Sequence, residues 1–307
     1  MRIVFAGTPD FALPSLAAVR ASGHELVAVV TQPDRPAGRG QQLTPSPVKK
    51  AAVEADVPVI EADRMKGREA AERLASFQPD LMVVVAYGAI LGRRVLDVPR
   101  CGCVNIHGSL LPRWRGAAPI ARALLSGDET TGVTLTWMRP KLDSGPIVDT
   151  RAISLDEDTT AAALHDKLAT LGGHLVSGYL VTDCDDWPAV EQDEAKATYA
   201  PPLTKAEGII DWSAGASAIV RRIRAMQPWP VAHSALVGDN VRVFGAHGTD
   251  AASTQSPGTV VAAGAEGIRV ATGDKDICLT AVQFPGKKRM PAAEAARGRA
   301  LAGQRFD

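Results

Sequence analysis

Several features that mark particular classes of protein are missing from this sequence. Its 34 basic and 34 acidic residues balance, so no overall charge points to nucleic acid or a membrane surface as a partner. No stretch approaches the roughly 20 apolar residues of a membrane span. The opening apolar run, residues 3–6, is too short for a signal peptide. We therefore expect a cytoplasmic protein that does not associate with membranes.

The cysteines and glycines also lack the spacing of common cofactor sites. Cys101, Cys103, Cys184 and Cys278 do not form the paired C-x-x-C pattern of a zinc site, and we predict no metal. Four buried free thiols are expected, as is usual in a reducing cytosol. The first turn, residues 7–9, is not a G-x-G-x-x-G pattern, so the sequence does not predict a dinucleotide site.

The length of 307 residues and the ordinary balance of 46% hydrophobic and 22% charged residues indicate two globular domains. In the first half, short apolar runs alternate with helix-like segments, which predicts a doubly wound, mostly parallel sheet. Strands are expected at residues 3–6, 25–31, 58–61, 81–86, 104–106, 132–138 and 147–153. Helices are expected at residues 11–21, 48–55, 70–77 and 159–181.

The character of the sequence changes near Trp187. The following stretch has no clear period and several prolines, as in an extended linker. After a helix expected at 213–226, short strand-like runs separated by glycines predict a small β domain. We therefore expect an α/β domain at 1–188, a linker at 189–205 and a β domain at 206–307.

Two polar side chains alternate at the end of a buried strand, in Cys103-Val104-Asn105-Ile106-His107. Because side chains alternate along a strand, Asn105 and His107 share one face. Open α/β sheets bind ligands at the carboxyl ends of their strands, where such a pair could hold a carbonyl oxygen. Taken alone, the pair is more typical of a hydrogen-bonded core asparagine and a surface histidine.

The residues that follow favour a role for Asn105 and His107 in binding a ligand. Ser109-Leu110-Leu111-Pro112-Arg113-Trp114-Arg115-Gly116, together with Asn105, His107 and the later Leu142-Asp143-Ser144-Gly145, resembles the signature of folate-dependent formyltransferases. Residues 5–11, 31–40 and 199–201 extend the resemblance over nearly the whole chain. The stretch 31–40 narrows it to the methionyl-tRNA branch of that family.

This resemblance implies transfer of the formyl group of 10-formyltetrahydrofolate to the α-amino group of methionyl initiator tRNA, for translation initiation. It implies that Asn105 holds the formyl oxygen, His107 stabilises the intermediate, and Asp143 orients His107 or water and accepts the proton. The chemistry agrees, because oriented donors can stabilise an oxyanion by about 3 kcal/mol each. The implied folate contacts are Ser109, Leu110, Leu111 and Pro112.

The resemblance also implies an OB-like barrel in the C-terminal domain and a role in holding tRNA. Arg39 is flanked by glycines in a proline-rich loop that also contains Arg35, and it is expected to contact the tRNA acceptor stem. A basic track could add further phosphate contacts, although such charge runs are usually solvated faces; its members are Lys287, Lys288, Arg289, Arg221, Arg222 and Arg224. No obligate protein partner is predicted.

The loop around the acid departs from the family's usual pattern. Arg139 stands where the family usually has an acidic residue, and Lys141 where it has a glycine. Such a glycine often has positive φ, which Lys adopts poorly, so an altered loop path or ionisation of Asp143 is expected.

Two alternative functions stay open. One is an enzyme that formylates glycinamide ribonucleotide or a sugar amine, or hydrolyses formyl-folate. The other is a non-catalytic tRNA-binding protein on this scaffold.

Overall fold

The structure, a computed structural model, describes residues 1–37, 40 and 42–307, with the backbone alone at Ala37. The strands are β1 Arg2–Gly7, β2 Glu25–Thr31, β3 Arg35–Ala37, β4 Gln42–Thr44, β5 Val59–Glu61, β6 Leu81–Val85, β7 Gly102–His107, β8 Arg115–Gly116, β9 Thr130–Trp137, β10 Ile147–Ser154, β11 Tyr199–Ala200, β12 Ala232–Leu236, β13 Asp239–Ala252, β14 Val260–Gly264, β15 Gly267–Val270, β16 Lys275–Gln283 and β17 Met290–Pro291. The α-helices are α1 Leu13–Ala21, α2 Pro47–Val53, α3 Gly67–Ala75, α4 Arg93–Leu96, α5 Pro119–Ser126, α6 Ala161–Tyr179, α7 Ala216–Ala225 and α8 Ala292–Ala296. None of the helices in these ranges has the length and apolar character that crossing a bilayer requires.

A seven-stranded sheet has the order β10-β9-β7-β6-β1-β2-β5. Neighbouring strands from β7 to β5 are parallel, whereas β9 and β10 run antiparallel at one edge. Every residue of β6 is buried, as the uninterrupted apolar sequence of a strand covered on both faces requires. The predicted, mostly parallel sheet is confirmed.

By its internal contacts the chain divides into two compact units. The first comprises residues 1–119, 130–154 and 165–200 and contains the seven-stranded sheet; the second comprises residues 120–129, 155–164 and 201–307. In the second unit, antiparallel strands follow the order β12-β13-β16-β15-β14, and β17 pairs with β16. Antiparallel strands are thus confirmed for the C-terminal region. The predicted ends of the α/β domain at residue 188 and of the linker at residue 205 stay a prediction.

Some short elements could not be recognised from the sequence. They include the β3–β4 hairpin, the single-turn helix α4 and the parallel pair formed by β8 and β11. Elements of two to four residues are too short to display a period. The pairing of β11 with β8 places part of the predicted linker in the first unit, beside the chain that follows β7.

The expectation of four free thiols is wrong for two cysteines. Cys101 and Cys184 form a disulfide, with Cα atoms 6.1 Å apart, inside the range that this bond requires. The two are 83 residues apart in the chain, so their spacing gave no signal. Arg100 also reaches this segment, with Nη2 3.5 Å from the Cys184 sulfur. Cys103 and Cys278 are buried free thiols, as expected, and burial raises the pKa of Cys103 to about 12.

Candidate active site

The predicted pair of polar residues lies at the carboxyl end of β7. Val104 and Ile106 are buried on one face of the strand, and Asn105 and His107 alternate with them on the other. His107 is the last residue of β7 and pairs in register with Thr134 of β9. Asn105 is half-buried and His107 is buried, so the hydrogen bond of His107 competes little with water.

The imidazole of His107 is held between a backbone carbonyl and a carboxylate. Its Nε2 lies 2.8 Å from the carbonyl oxygen of Trp114, and its Nδ1 lies 3.7 Å from Oδ2 of Asp143. Because a carbonyl only accepts hydrogen bonds, Nε2 carries the proton and donates it. In the neutral ring Nδ1 therefore has an available lone pair. Once protonated there, the ring would face the Asp143 carboxylate.

Asp143 approaches His107 from the loop of residues 138–146, here called the acid loop. Its φ of +47° lies in the left-handed region, which Asp tolerates better than most residues. The Gly116 N–H donates to Oδ2 over 2.8 Å, and the carboxylate side chain is 14% exposed. Gly116 has φ +119°, and a Cβ there would meet the Ala200 oxygen at 2.7 Å, so only glycine fits this position.

The loop Ser109–Pro112, predicted to contact folate, is fastened to β9. The Thr134 hydroxyl donates to the Ser109 carbonyl over 2.7 Å and accepts from the Leu111 N–H over 3.0 Å. The buried Ser109 hydroxyl in turn donates to the Arg113 carbonyl over 2.6 Å. This loop therefore forms a fixed wall directly after His107, and its contact with folate stays a prediction.

A cavity of about 410 Å³ borders the start of β7, helix α4 and the first residues of the acid loop. Cavities of this size hold small molecules. Cys103 in its wall alternates along β7 with Asn105, so the two share a face. Its apolar lining includes Leu96, Cys103, Trp137, Met138 and Pro140, and its charged lining Arg93, Asp97 and Arg139. This cavity could not be predicted from the sequence, because α4 is a single helical turn without a readable pattern.

Both departures from the family's acid loop are paired with opposite charges. Arg139 makes two hydrogen bonds to Glu191, at 2.8 and 2.5 Å, and Lys141 Nζ lies 2.7 Å from Glu194 Oε2. Within the acid loop Asp143, and not Lys141, adopts the left-handed conformation. The loop therefore accepts lysine at position 141 without backbone strain there.

Glu194 links Lys141 to the fully buried Arg115. Its Oε1 accepts a hydrogen bond of 2.8 Å from Arg115 Nη2, and its side chain is about half exposed. Hydrogen bonds from Arg115 and then Lys141 lower the pKa of Glu194 from 4.5 to about 2. The same partner raises the pKa of Arg115. Glu194 therefore stays ionised below pH 4.5, where an unperturbed glutamate takes up a proton.

Among the described residues, one set of side chains could together bind a metal ion: Cys101, Cys184 and Asp185. A metal would need the two sulfurs as thiolates. They are joined in the disulfide, so this set offers only a single carboxylate.

Of the N-terminal residues predicted to contact tRNA, Arg39 lies outside the described residues. Arg35 is exposed on β3. Its Nη2 donates to Gln32 Oε1 over 3.0 Å and lies 3.8 Å from Asp63. These contacts are at the surface and leave most of the guanidinium accessible, since the side chain is 72% exposed.

The C-terminal basic residues differ in their surroundings. Lys287 and Lys288 are exposed between β16 and β17, and the guanidinium of Arg289 stacks 4.8 Å from the ring centre of Phe244. The arginines of α7 are instead half-buried, and two of them donate to backbone carbonyls: Arg222 to Glu207 and Arg224 to Asp156. The three arginines of α7, which also include Arg221, therefore help to pack their own unit.

Comparison with known proteins identifies the family of the chain. Residues 1–180 match the formyl transferase family, and residues 202–300 match the formyl transferase C-terminal domain. A methionyl-tRNA formyltransferase of Methylococcus capsulatus is 51% identical over 100% of this chain and 99% of its own. That of Moorella thermoacetica is 48% identical over 97% of this chain and 96% of its own. The chain therefore belongs to the formyltransferase family, in its methionyl-tRNA branch, as the sequence predicted.

Solved structures share the fold at low sequence identity. HypX of Aquifex aeolicus in complex with tetrahydrofolic acid superposes with a TM-score of 0.64 at 18% identity. The match covers 96% of this chain but only 46% of HypX. WlaRD, a sugar 3N-formyl transferase with dTDP and 5-N-formyl-THF, gives a TM-score of 0.65 at 16% identity, over 94% of this chain and 99% of its own.

The lowered pKa of Glu194 predicts a pH-dependent contribution to stability. Because the folded pKa, about 2, lies below the unfolded value of 4.5, the ionised carboxylate stabilises the fold fully above pH 4.5. This contribution is lost as the pH falls toward 2. The measurement is the free energy of unfolding in urea, for wild type and Glu194→Gln, between about pH 6 and pH 3. The difference between the two proteins should stay constant from pH 6 down to about pH 4.5 and should shrink at lower pH.

Glu191→Gln is the matched control, because Glu191 pairs with a single, exposed arginine. It should cost little stability, as exposed ion pairs usually do. A Glu194→Gln difference that does not change over this pH range would contradict the assigned pairing.

Proposed function

We propose that the protein transfers the formyl group of 10-formyltetrahydrofolate to the α-amino group of methionine on charged initiator tRNA, for translation initiation. One observation carries the proposal. His107 and Asp143 come within 3.7 Å of each other at the end of the strand that bears Asn105. Membership of the methionyl-tRNA branch supports tRNA as the formyl acceptor.

In the proposed reaction the amine attacks the formyl carbon, and the formyl oxygen becomes an oxyanion in a tetrahedral intermediate. The Asn105 amide holds this oxygen, and His107 stabilises the intermediate. A donor such as the Asn105 amide contributes about 3 kcal/mol. The Nε2–H of His107 is held by the Trp114 carbonyl, so His107 would stabilise the intermediate through its positive charge once a proton binds Nδ1. Breakage of the bond to N10 then releases the folate, which takes up a proton as the amide product forms.

The proton lost by the amine passes to the His107–Asp143 pair. An α-amino group has a pKa of about 7.7–8.0, so neutral amine is available without a strong base. The Trp114 carbonyl fixes the imidazole with Nδ1 toward Asp143. Asp143 either stabilises a proton on this ring or accepts the proton through water.

The folate is proposed to lie in the cavity beside the acid loop. Its flat ring system suits the apolar wall that Leu96, Cys103 and Met138 provide. Arg93 and Arg139 in its wall would bind the carboxylates of the folate's glutamate in exchange for their present partners, Asp97 and Glu191. Ser109–Pro112, which follows His107, is proposed as the second wall, close to the formyl group.

The C-terminal unit is proposed to hold tRNA on an OB-like frame, a fold that binds nucleic acids repeatedly. Lys287, Lys288 and Arg289 would contact phosphates by charge, and Arg35 and Arg39 would contact the acceptor stem. Charged initiator tRNA is made and used in the cytoplasm, which is therefore the proposed compartment.

The proposed catalytic roles predict large losses in rate. Asn105→Ala, His107→Ala and Asp143→Asn should each lower kcat by about 100-fold or more, because oxyanion stabilisation or proton transfer is removed. The measurement is the rate of formyl-methionyl-tRNA formation at saturating tRNA and folate, with thermal unfolding followed in parallel.

His165→Ala is the matched control, since His165 also lies beside carboxylates, with Nδ1 2.9 Å from Asp166 and Nε2 3.5 Å from Asp10. It should keep near-normal turnover. A folded Asp143→Asn enzyme with wild-type kcat would remove Asp143 from the mechanism.

The proposed phosphate contacts predict a change in salt dependence. Each phosphate that a protein neutralises steepens the fall of log affinity with log salt by about 0.7–0.9. Replacing Lys287, Lys288 and Arg289 together by Gln should therefore flatten the slope by about two to three units. The measurement is tRNA affinity over a salt series; kcat at saturating tRNA should barely change.

A triple replacement of Lys66, Arg68 and Arg73, exposed cations at α3 in the first unit, is the control for loss of overall charge. It should leave the slope close to wild type. An unchanged slope in the C-terminal triple variant would mean that these three charges form only a solvated face.

A further inference from the structure

Gln192 holds the backbone on both sides of the turn that presents Asp143. Its Nε2 donates to the Asp143 carbonyl over 2.9 Å and to the Gly145 carbonyl over 2.7 Å. The side chain is buried, so these bonds have little competition from water. The turn is also closely packed, because a Cβ on Gly145 would lie 1.7 Å from the Trp137 oxygen.

Gln192 is in turn fixed by the fully buried Arg115. The Arg115 guanidinium donates to Gln192 Oε1 through Nε over 3.1 Å and through Nη2 over 2.7 Å. Arg115 directly precedes Gly116, whose N–H holds the Asp143 carboxylate. The contacts close a ring in which Gly116 holds the side chain of Asp143 while Arg115, through Gln192, holds its backbone.

The segment that carries Gln192 is anchored on both sides. Val190 exchanges two backbone hydrogen bonds with Ile147 of β10, at 2.7 and 2.9 Å. Tyr199 and Ala200 pair with β8. Gln192 therefore projects from fixed backbone, which is what a residue that positions another must do.

We propose that Gln192 is a positioning residue for formyl transfer, which sets the Asp143 carboxylate at its distance from His107 through the Asp143 and Gly145 carbonyls. The inference rests on the proposed role of Asp143. An amide suits the task because its oxygen accepts from Arg115 while its nitrogen donates to two carbonyls. A carboxylate at this position could perform only the first of these functions.

The alternative is that Gln192 merely stabilises the fold. Gln227 of the second unit offers a matched comparison, because it is also buried and its Nε2 also donates to two carbonyls, those of Ile223 and Phe244 at 2.9 Å each. Glutamate at either position would cost similar hydrogen bonds. Only the change at Gln192 should act through Asp143.

The test is a double-mutant cycle on kcat for methionyl-tRNA formylation. Gln192→Glu retains the contact with Arg115 but turns a carboxylate toward the two carbonyls. It should lower kcat about 10- to 100-fold, as expected when a catalytic group is displaced by about 1 Å, with KM for both substrates changed less than about threefold. In the Asp143→Asn background the same change should cost less than about twofold, because there is no carboxylate left to position.

Gln227→Glu should leave kcat unchanged in both backgrounds, even if it lowers the unfolding temperature. If Gln192→Glu does not fold, Arg115→Lys serves instead, since lysine keeps the charge but loses the two-pronged contact with Gln192. Arg115→Lys should likewise lower kcat in the wild-type background and have little further effect on kcat in the Asp143→Asn background. An unchanged kcat in these variants, or equal losses with and without the Asp143 carboxylate, would overturn the proposal.

The outcomes separate this inference from the proposed function. A wild-type protein that does not formylate methionyl-tRNA would refute the function itself. Full activity in Asp143→Asn would refute the role of the acid. An active wild type and an impaired Asp143→Asn variant, together with either an unchanged kcat or additive losses from Gln192→Glu, would refute the positioning role alone.

Discussion

The site depends on one constraint: the Asp143 carboxylate must be held against His107, although the two lie on separate elements. Asp143 follows β9 in the chain and lies in a left-handed turn, and among the residues that the structure describes one backbone N–H, that of Gly116, donates to its carboxylate. The pairing of β8 with β11 places Gly116 at that point. Strands of two residues thus decide the geometry of the His107–Asp143 pair, to which the proposed proton transfer is assigned.

The positions of candidate site residues could be predicted best where these residues lie on a regular strand. Alternation along β7 placed Asn105 and His107 on one face, because strand period is a property of the local sequence. The resemblance supplied Asp143, which spacing alone could not. The cavity and Gln192 were missed, since both depend on contacts between segments far apart in the chain. Gln192 even lay in the stretch predicted to be a linker.

The cysteines and the acid loop show how tertiary contacts alter interpretations drawn from single positions. Spacing could not reveal that Cys101 and Cys184 meet. The sequence predicts that Arg139 and Lys141 alter the acid loop, yet each forms an ion pair, with Glu191 and Glu194 respectively. The effect of each substitution on the loop can therefore be judged only together with the residue that it pairs with. In this chain the acid loop and the segment after residue 190 are best understood as one charged, hydrogen-bonded unit that carries Asp143.

The most direct test of the account is to offer the protein 10-formyltetrahydrofolate together with several amine acceptors in one assay. The acceptors are methionyl initiator tRNA, methionyl elongator tRNA, glycinamide ribonucleotide and an amino-sugar nucleotide. The account predicts that methionyl initiator tRNA is formylated in strong preference to the others. Preferential formylation of a small amine, or hydrolysis of the formyl-folate without transfer, would contradict it.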